Sequence, residues 1–149
     1  MGAVVVTGGE PTIHEDLPLF LEKLKRKGFA VKLDTNGFRP DALNACLPWL
    51  DCVALDVKTS HEKYRLLGAP DPSPLIESIR VLKECSVDYE FRTTVVPSLV
   101  DAEEIQRIGE VLKGTKRLAM QQFTPENAYS AEYKASRTTL KPSATSPKP

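Results

Sequence analysis

Val4-Val5-Val6-Thr7-Gly8-Gly9-Glu10-Pro11-Thr12 is a short apolar run that ends in two glycines, an acid and a proline. Three consecutive β-branched residues favour extended structure, and the lack of alternation predicts a strand covered on both faces. Gly8 and Gly9 remove side chains where the backbone must take a positive φ or be approached closely. Glu10 then sets a carboxylate at the strand's C-terminal end, where parallel α/β sheets and barrels gather their ligand sites. The same residues also read as a tight strand-to-helix turn with a surface acid, and the stretch alone does not separate the two.

Outward from this stretch the unit of strand, turn and helix recurs. Asp16 is placed as the N-cap of a helix with Pro18 in its first turn, Leu17, Phe20, Leu21 and Leu24 on one face, and Gly28 at its end. Residues 29–33 form a second strand that runs into Asp34-Thr35-Asn36-Gly37, and Asn36-Gly37 suits a turn with positive φ. A short helix over residues 42–47 follows, with Trp49 and Leu50 packed beneath the turn. The third strand, residues 52–57, is apolar apart from Asp56, and a carboxylate on a buried strand needs a partner or a ligand. Ser60 opens a brief helix that Gly68 stops. Ser73 as N-cap and Pro74 at the first helical position open the next, with Leu75, Ile76, Ile79 and Leu82 as its core face. Residues 89–96 make a fourth strand, Asp101 and Glu104 cap a helix carrying Ile105, Ile108 and Leu112, and residues 118–123 make a fifth strand.

Strand alternating with helix argues an α/β fold with a parallel sheet of about five strands joined by right-handed crossovers. At 149 residues the chain fits one domain. Its core is placed at residues 1–126, and the Ser-, Thr-, Pro- and Lys-rich residues 127–149 are expected to be a disordered tail.

Twenty Lys and Arg against twenty Asp and Glu give zero formal charge, so nothing electrostatic points to nucleic acid or to an anionic membrane. No apolar run approaches the ~20 residues of a membrane span, and no signal peptide is visible. Cys46, Cys52 and Cys85 are an odd number of cysteines, which favours reduced thiols in a cytoplasm over a disulfide framework. The chain has no GxGxxG, no P-loop lysine pattern and no GxSxG elbow. Its two histidines, His14 and His61, offer little general-base chemistry, and His14 reads best as exposed.

In a parallel sheet all strand C-termini lie at one edge, so their polar residues converge from distant parts of the chain. Here these are residues 7–10, residues 34–37, Asp56 with Lys58, residues 92–94, and Gln121, Gln122 and Thr124. Carboxylates, a lysine, an arginine and amides around bared glycine backbone suit a zwitterionic small molecule.

Gly8-Gly9-Glu10-Pro11, Leu33-Asp34-Thr35-Asn36-Gly37 and Leu55-Asp56-Val57-Lys58 together resemble the radical S-adenosylmethionine activating enzymes. The likeness is to anaerobic ribonucleoside-triphosphate reductase activating proteins, with pyruvate formate-lyase activating enzyme next. Arg92-Thr93-Thr94-Val95-Val96-Pro97 and Gln121-Gln122-Phe123-Thr124-Pro125 follow in the order of that family's later strand ends, so the resemblance covers residues 4–125. It implies a partial (β/α) barrel, truncated at its N-terminal side, that binds S-adenosylmethionine at the C-terminal edge. It also implies that the whole enzyme generates a glycyl radical on a partner such as anaerobic ribonucleotide reductase or pyruvate formate-lyase. By resemblance, Gly8, Gly9 and Glu10 hold the methionine amino and carboxylate groups. Asp34, Thr35 and the adjoining Asn36 lie by the bound cofactor, in some members with a cation nearby. Asp56 and Lys58 lie near the cofactor and the partner's glycine loop, and Gln122 lies toward the adenine. No residue is assigned as a metal ligand or as the catalytic group.

The chain departs from the family in one respect. The expected [4Fe–4S] cluster is held there by three cysteines spaced CxxxCxxC ahead of the glycine pair, and none of the three cysteines here has that spacing or place. Met1-Gly2-Ala3 leads straight into the first strand. The expectation is therefore a polypeptide that is catalytically silent by itself and at most binds the cofactor weakly. The sheet edge left by a missing first strand would suit a homodimer. A non-catalytic α/β cofactor-binding or interaction module is the alternative. A flavodoxin-like domain fits the element count but predicts an acidic pocket after the first strand, which Thr7-Gly8-Gly9 does not supply.

Overall fold

The computed structural model describes residues 2–124, so the expected tail over residues 127–149 lies outside them. Five strands, β1 (Ala3–Val6), β2 (Ala30–Thr35), β3 (Cys52–Asp56), β4 (Asp88–Val95) and β5 (Leu118–Gln122), form one sheet in sequence order. Every neighbouring pair is parallel. The crossovers carry α1 (Leu17–Arg26), α2 (Pro40–Cys46), α3 (Ser73–Glu84) and α4 (Ala102–Val111), as the alternating pattern predicts. Among the described residues the sheet is open, with β1 and β5 as its edges.

The two faces differ sharply. Val31, Leu33, Val53, Leu55, Tyr89 and Phe91 point to the helix side and are buried, packing with Leu21, Leu43, Leu75, Leu82 and Ile108. Alternation and register put Lys32, Asp34, Ala54, Asp56, Glu90 and Arg92 together on the other face. The core therefore lies on one side of the sheet and the charges on the other.

β1 is not covered on both faces: it is an edge strand, with Val5 54% exposed. Its unbroken valines express β propensity rather than double burial. In α1, Phe20 is 48% exposed, leaving Leu17 and Leu21 as its buried anchors. Asp16 precedes that helix without a side-chain cap bond. In α3 Ile76 lies outward, and Ser78 takes the buried place because its hydroxyl donates to the Gly37 carbonyl at 2.6 Å. Ser73 is the first residue of α3 and not its cap; its amide and hydroxyl donate to Asp71. The segment His61–Leu67 is a 3-10 helix, ended by Gly68 at φ 79°.

Candidate functional site

The C-terminal edge is built from β1 outward. Past Val6 the chain turns through Gly8 (φ 97°) and Gly9 (φ 52°), and a Cβ added at either would meet no atom within 4 Å. The glycine pair thus presents open backbone in a conformation that side chains rarely adopt. Glu10 caps a 3-10 turn over Pro11–Ile13. Its Oε1 accepts from the Thr12 amide (3.1 Å), the Thr12 hydroxyl (2.6 Å) and the Thr35 hydroxyl (2.7 Å). Its Oε2 accepts from the Asn36 amide at 2.6 Å. The carboxylate predicted as a ligand group is therefore also a staple that ties the glycine turn to the end of β2.

The end of β2 is itself tightly folded. The Asn36 side chain accepts from the Phe38 amide at 2.9 Å, and the Thr35 hydroxyl accepts from the Gly37 amide at 3.1 Å. Gly37 has φ 76°, and a Cβ there would lie 2.7 Å from Leu55 and 2.9 Å from Leu75. Positive φ and close packing together make glycine obligatory at this turn.

The centre of the edge is a bridge. Arg92 on β4 donates from Nε to Asp56 (2.8 Å) and from Nη1 to Asp34 (2.9 Å), joining three strands. Burial pulls its ionisation down, but bonds to Asp56 and Asp34 outweigh that and hold the guanidinium above its ordinary pKa. Asp34 Oδ1 is buried without a hydrogen-bond partner among the described residues. A second pair, Lys32–Glu90 (2.9 Å), lies one step further down the same face. Its hydrogen bond raises the Lys32 pKa and lowers that of Glu90. Both pairs link β2 to β4 over β3, where the small Ala54 sits beside Asp34 and Glu90.

Lys58 follows β3 on a loop fastened from three directions. The Val57 amide donates to the Arg92 carbonyl (2.8 Å) and the Lys58 amide to the Tyr64 hydroxyl (2.8 Å). Burial pushes the Tyr64 phenol up to about 12. Thr59 and Ser60 bond to Glu104. The Lys58 side chain is exposed and has no ion-pair partner among the described residues.

The edge thus joins Gly8, Gly9 and Glu10 to Thr35 and Asn36, and Asp34 to Asp56, with Lys58 following directly after β3. Gln122 lies apart from this group: it sits beside Val95 on the helix side, while Gln121 shares the open face with Thr94. By sequence Arg92 falls at the edge with no role of its own; its phase in β4, alternating with Phe91 and Thr93, marks it for the open face. Glu104 was read as half of a capping box, and nothing local signals where its side chain goes. His14 is exposed, as expected.

The cysteines are elsewhere. Cys46 ends α2, Cys52 opens β3 and Cys85 follows α3, so all three belong to the opposite edge of the sheet. Burial pushes the Cys46 thiol up to about 11 and raises that of Cys52, which disfavours the thiolate a metal needs. Among the described residues no group of three or more His, Cys, Asp or Glu could hold a metal ion. These thiols do not fit a three-cysteine cluster site.

A family model described as the radical SAM superfamily matches residues 1–113. A Methanocaldococcus jannaschii protein named as a glycyl-radical enzyme activating enzyme is 36% identical over 141 residues, 89% of this chain and 59% of that protein. A 7-carboxy-7-deazaguanine synthase of Thermococcus kodakarensis is 31% identical over 128 residues, 83% of this chain and 49% of that protein. The chain thus spans between 49% and 59% of the length of these two relatives. A solved domain of pyruvate-formate lyase-activating enzyme from Bacteroides vulgatus superposes with a TM-score of 0.69 at 19% identity, covering 90% of this chain and 89% of that one.

Proposed function

The chain belongs to the radical SAM superfamily, and from that premise we propose that its C-terminal sheet edge binds S-adenosylmethionine as the core of an enzyme that activates a glycyl radical enzyme. The observation that carries the reading is the bared Gly8–Gly9 backbone, stapled by Glu10 beside the Asp34–Arg92–Asp56 bridge. S-adenosylmethionine held there would supply the 5′-deoxyadenosyl radical for hydrogen abstraction, with methionine as the leaving group, once an iron–sulfur cluster outside these residues donated one electron to its sulfonium. The protein's part is to hold the methionine end. The Gly8–Gly9 backbone meets the zwitterion, with Glu10, Thr35 and Asn36 fixing that backbone in place. The Oδ1 of Asp34, unpartnered among the described residues, is an acceptor for the amino group, and the Lys58 ammonium, unpaired among them, suits the carboxylate. Asp56 acts through Arg92, and Gln122, next to Gln121, is assigned to the adenine end.

Isothermal titration of the chain with S-adenosylmethionine is expected to give binding that Glu10→Ala weakens, by freeing the glycine turn from β2. No heat with either protein overturns the reading and favours a non-catalytic interaction module. Because its three thiols do not fit a cluster, the chain alone is expected to bind the cofactor without cleaving it. Release of 5′-deoxyadenosine after anaerobic iron–sulfur reconstitution would overturn that part.

A second reading is favoured by the similarity to 7-carboxy-7-deazaguanine synthases, whose reaction would place a small molecule, not a protein glycine, above this edge. A glycyl-radical signal in a partner enzyme, seen by electron paramagnetic resonance after incubation with the whole activase, separates the two. We assign the outer side of β1, unpaired among the described residues, to a second copy of the chain.

A further inference from the structure

Glu104 is a carboxylate with 0% exposure, and its place is not explained by the helix that carries it. As the third residue of α4 its amide donates to the cap residue Asp101 at 2.8 Å. In a reciprocal capping box the glutamate side chain would turn back to the cap, a task it can perform in solvent. Here it leaves its helix. Oε1 accepts from the Thr59 hydroxyl at 2.7 Å and the Ser60 amide at 2.6 Å. Oε2 pairs with the Lys63 ammonium at 3.0 Å, and Arg107 lies 3.6 Å away.

Burying a carboxylate costs more than an apolar side chain at the same place, so such groups fix geometry more than they add stability. The geometry fixed here is that of residues 57–60. Val57, Thr59 and Ser60 are buried at 2%, 1% and 1% exposure, and Lys58 alone among the four is exposed. The amides of Val57, Lys58 and Ser60 bond in turn to β4, Tyr64 and α4. The loop is thus a rigid mount whose one exposed side chain is that of Lys58.

We propose that Glu104 is a positioning residue: it holds the loop after β3 so that the Lys58 ammonium stands at the sheet edge, ready for the carboxylate of a bound zwitterion. This rests on the reading of that edge as the S-adenosylmethionine site, and it adds a residue on another helix, 46 positions further along the chain than Lys58, that acts only through the loop.

The test compares the full chain with its Glu104→Ala and Glu104→Gln variants, with Leu112→Ala as a control. Leu112 is buried just past the far end of α4 and lies outside the site. Amide exchange followed by nuclear magnetic resonance is expected to accelerate about tenfold at Lys58 and Ser60 in Glu104→Ala, relative to residues 53–55. Glu104→Gln, which keeps an acceptor oxygen, restores part of the protection. Leu112→Ala raises exchange without singling out the loop. S-adenosylmethionine affinity falls about tenfold in Glu104→Ala, and in a Lys58→Ala background the same change has no further effect.

Uniform acceleration in Glu104→Ala, unchanged protection at Lys58 and Ser60, or an equal affinity loss in both backgrounds would overturn the proposal. If Glu104→Ala does not fold, Glu104→Gln serves for each comparison. Absence of cofactor binding in the parent chain would sink the site assignment, while the exchange pattern still decides whether Glu104 holds the loop.

Discussion

Gly37 shows how a single position can be constrained twice. Its φ of 76° is costly for any residue with a Cβ, and that Cβ would also run into Leu55 and Leu75. Gly37→Ala is expected to destabilise the fold by about 2–5 kcal/mol, read as a lowered urea midpoint. Gly8→Ala, at a turn with open space around it, loses only the backbone term. Glu104 gives a pH signature instead. Burial pushes its pKa up, but the bonds from Ser60 and Thr59 and the Lys63 charge outweigh that and hold it at about 2, against an ordinary 4.5. The unfolded chain therefore takes up this proton more readily than the folded one. The stabilisation is complete above the ordinary value and is lost as pH falls from about 4.5 toward about 2. Urea midpoints measured down this range should show the advantage of the parent over Glu104→Gln shrinking; a constant gap would contradict the assignment. Glycines are legible in a sequence because their reason is local. Glu104 is not, because the hydroxyl and amide that donate to it lie 45 and 44 residues away.

At the scale of elements, β3 owes its composition to the traffic above it. The Lys32–Glu90 pair and the Arg92–Asp34 bond pass from β2 to β4 across a strand whose open face offers Cys52, Ala54 and Asp56. A branched side chain at position 54 would stand in both paths. Ala54→Leu is expected to cost about 1–3 kcal/mol through overpacking and to weaken S-adenosylmethionine binding by separating Arg92 from Asp34. Thermal unfolding and titration calorimetry measure the two effects, and full affinity in a folded variant would show that the bridge is not needed. The strands and their order were readable from the run of apolar residues and breakers, and the edge residues followed from parallel pairing. Which face of each element is buried was less so. Ile76 has the right spacing for the core but lies outward, because the close approach of α3 to the Gly37 turn selects the small, hydrogen-bonding Ser78.

The whole molecule has one finished side and one unfinished one. Among the described residues helices cover a single face, while β1 offers an unpaired edge and an exposed Val5. Such edges recruit other strands, and a lysine there discourages them. Sedimentation of the parent chain at rising concentration should show association that Val5→Lys removes, with the urea midpoint shifting by less than about 0.5 kcal/mol equivalent; a parent that stays monomeric refutes a β1-mediated dimer.

Because neighbours in the sheet are also neighbours in sequence, the site is put together in the order in which a ribosome would deliver it. The Glu10 staple needs nothing beyond Asn36 and is complete when β2 has emerged. The bridge between the two aspartates needs Arg92 from β4, and the Lys58 loop needs Glu104 from α4. A chain ending between β3 and β4 would keep every partner of the Glu10 staple and the Lys32 charge near Asp34, but would lack the one guanidinium that joins Asp34 to Asp56.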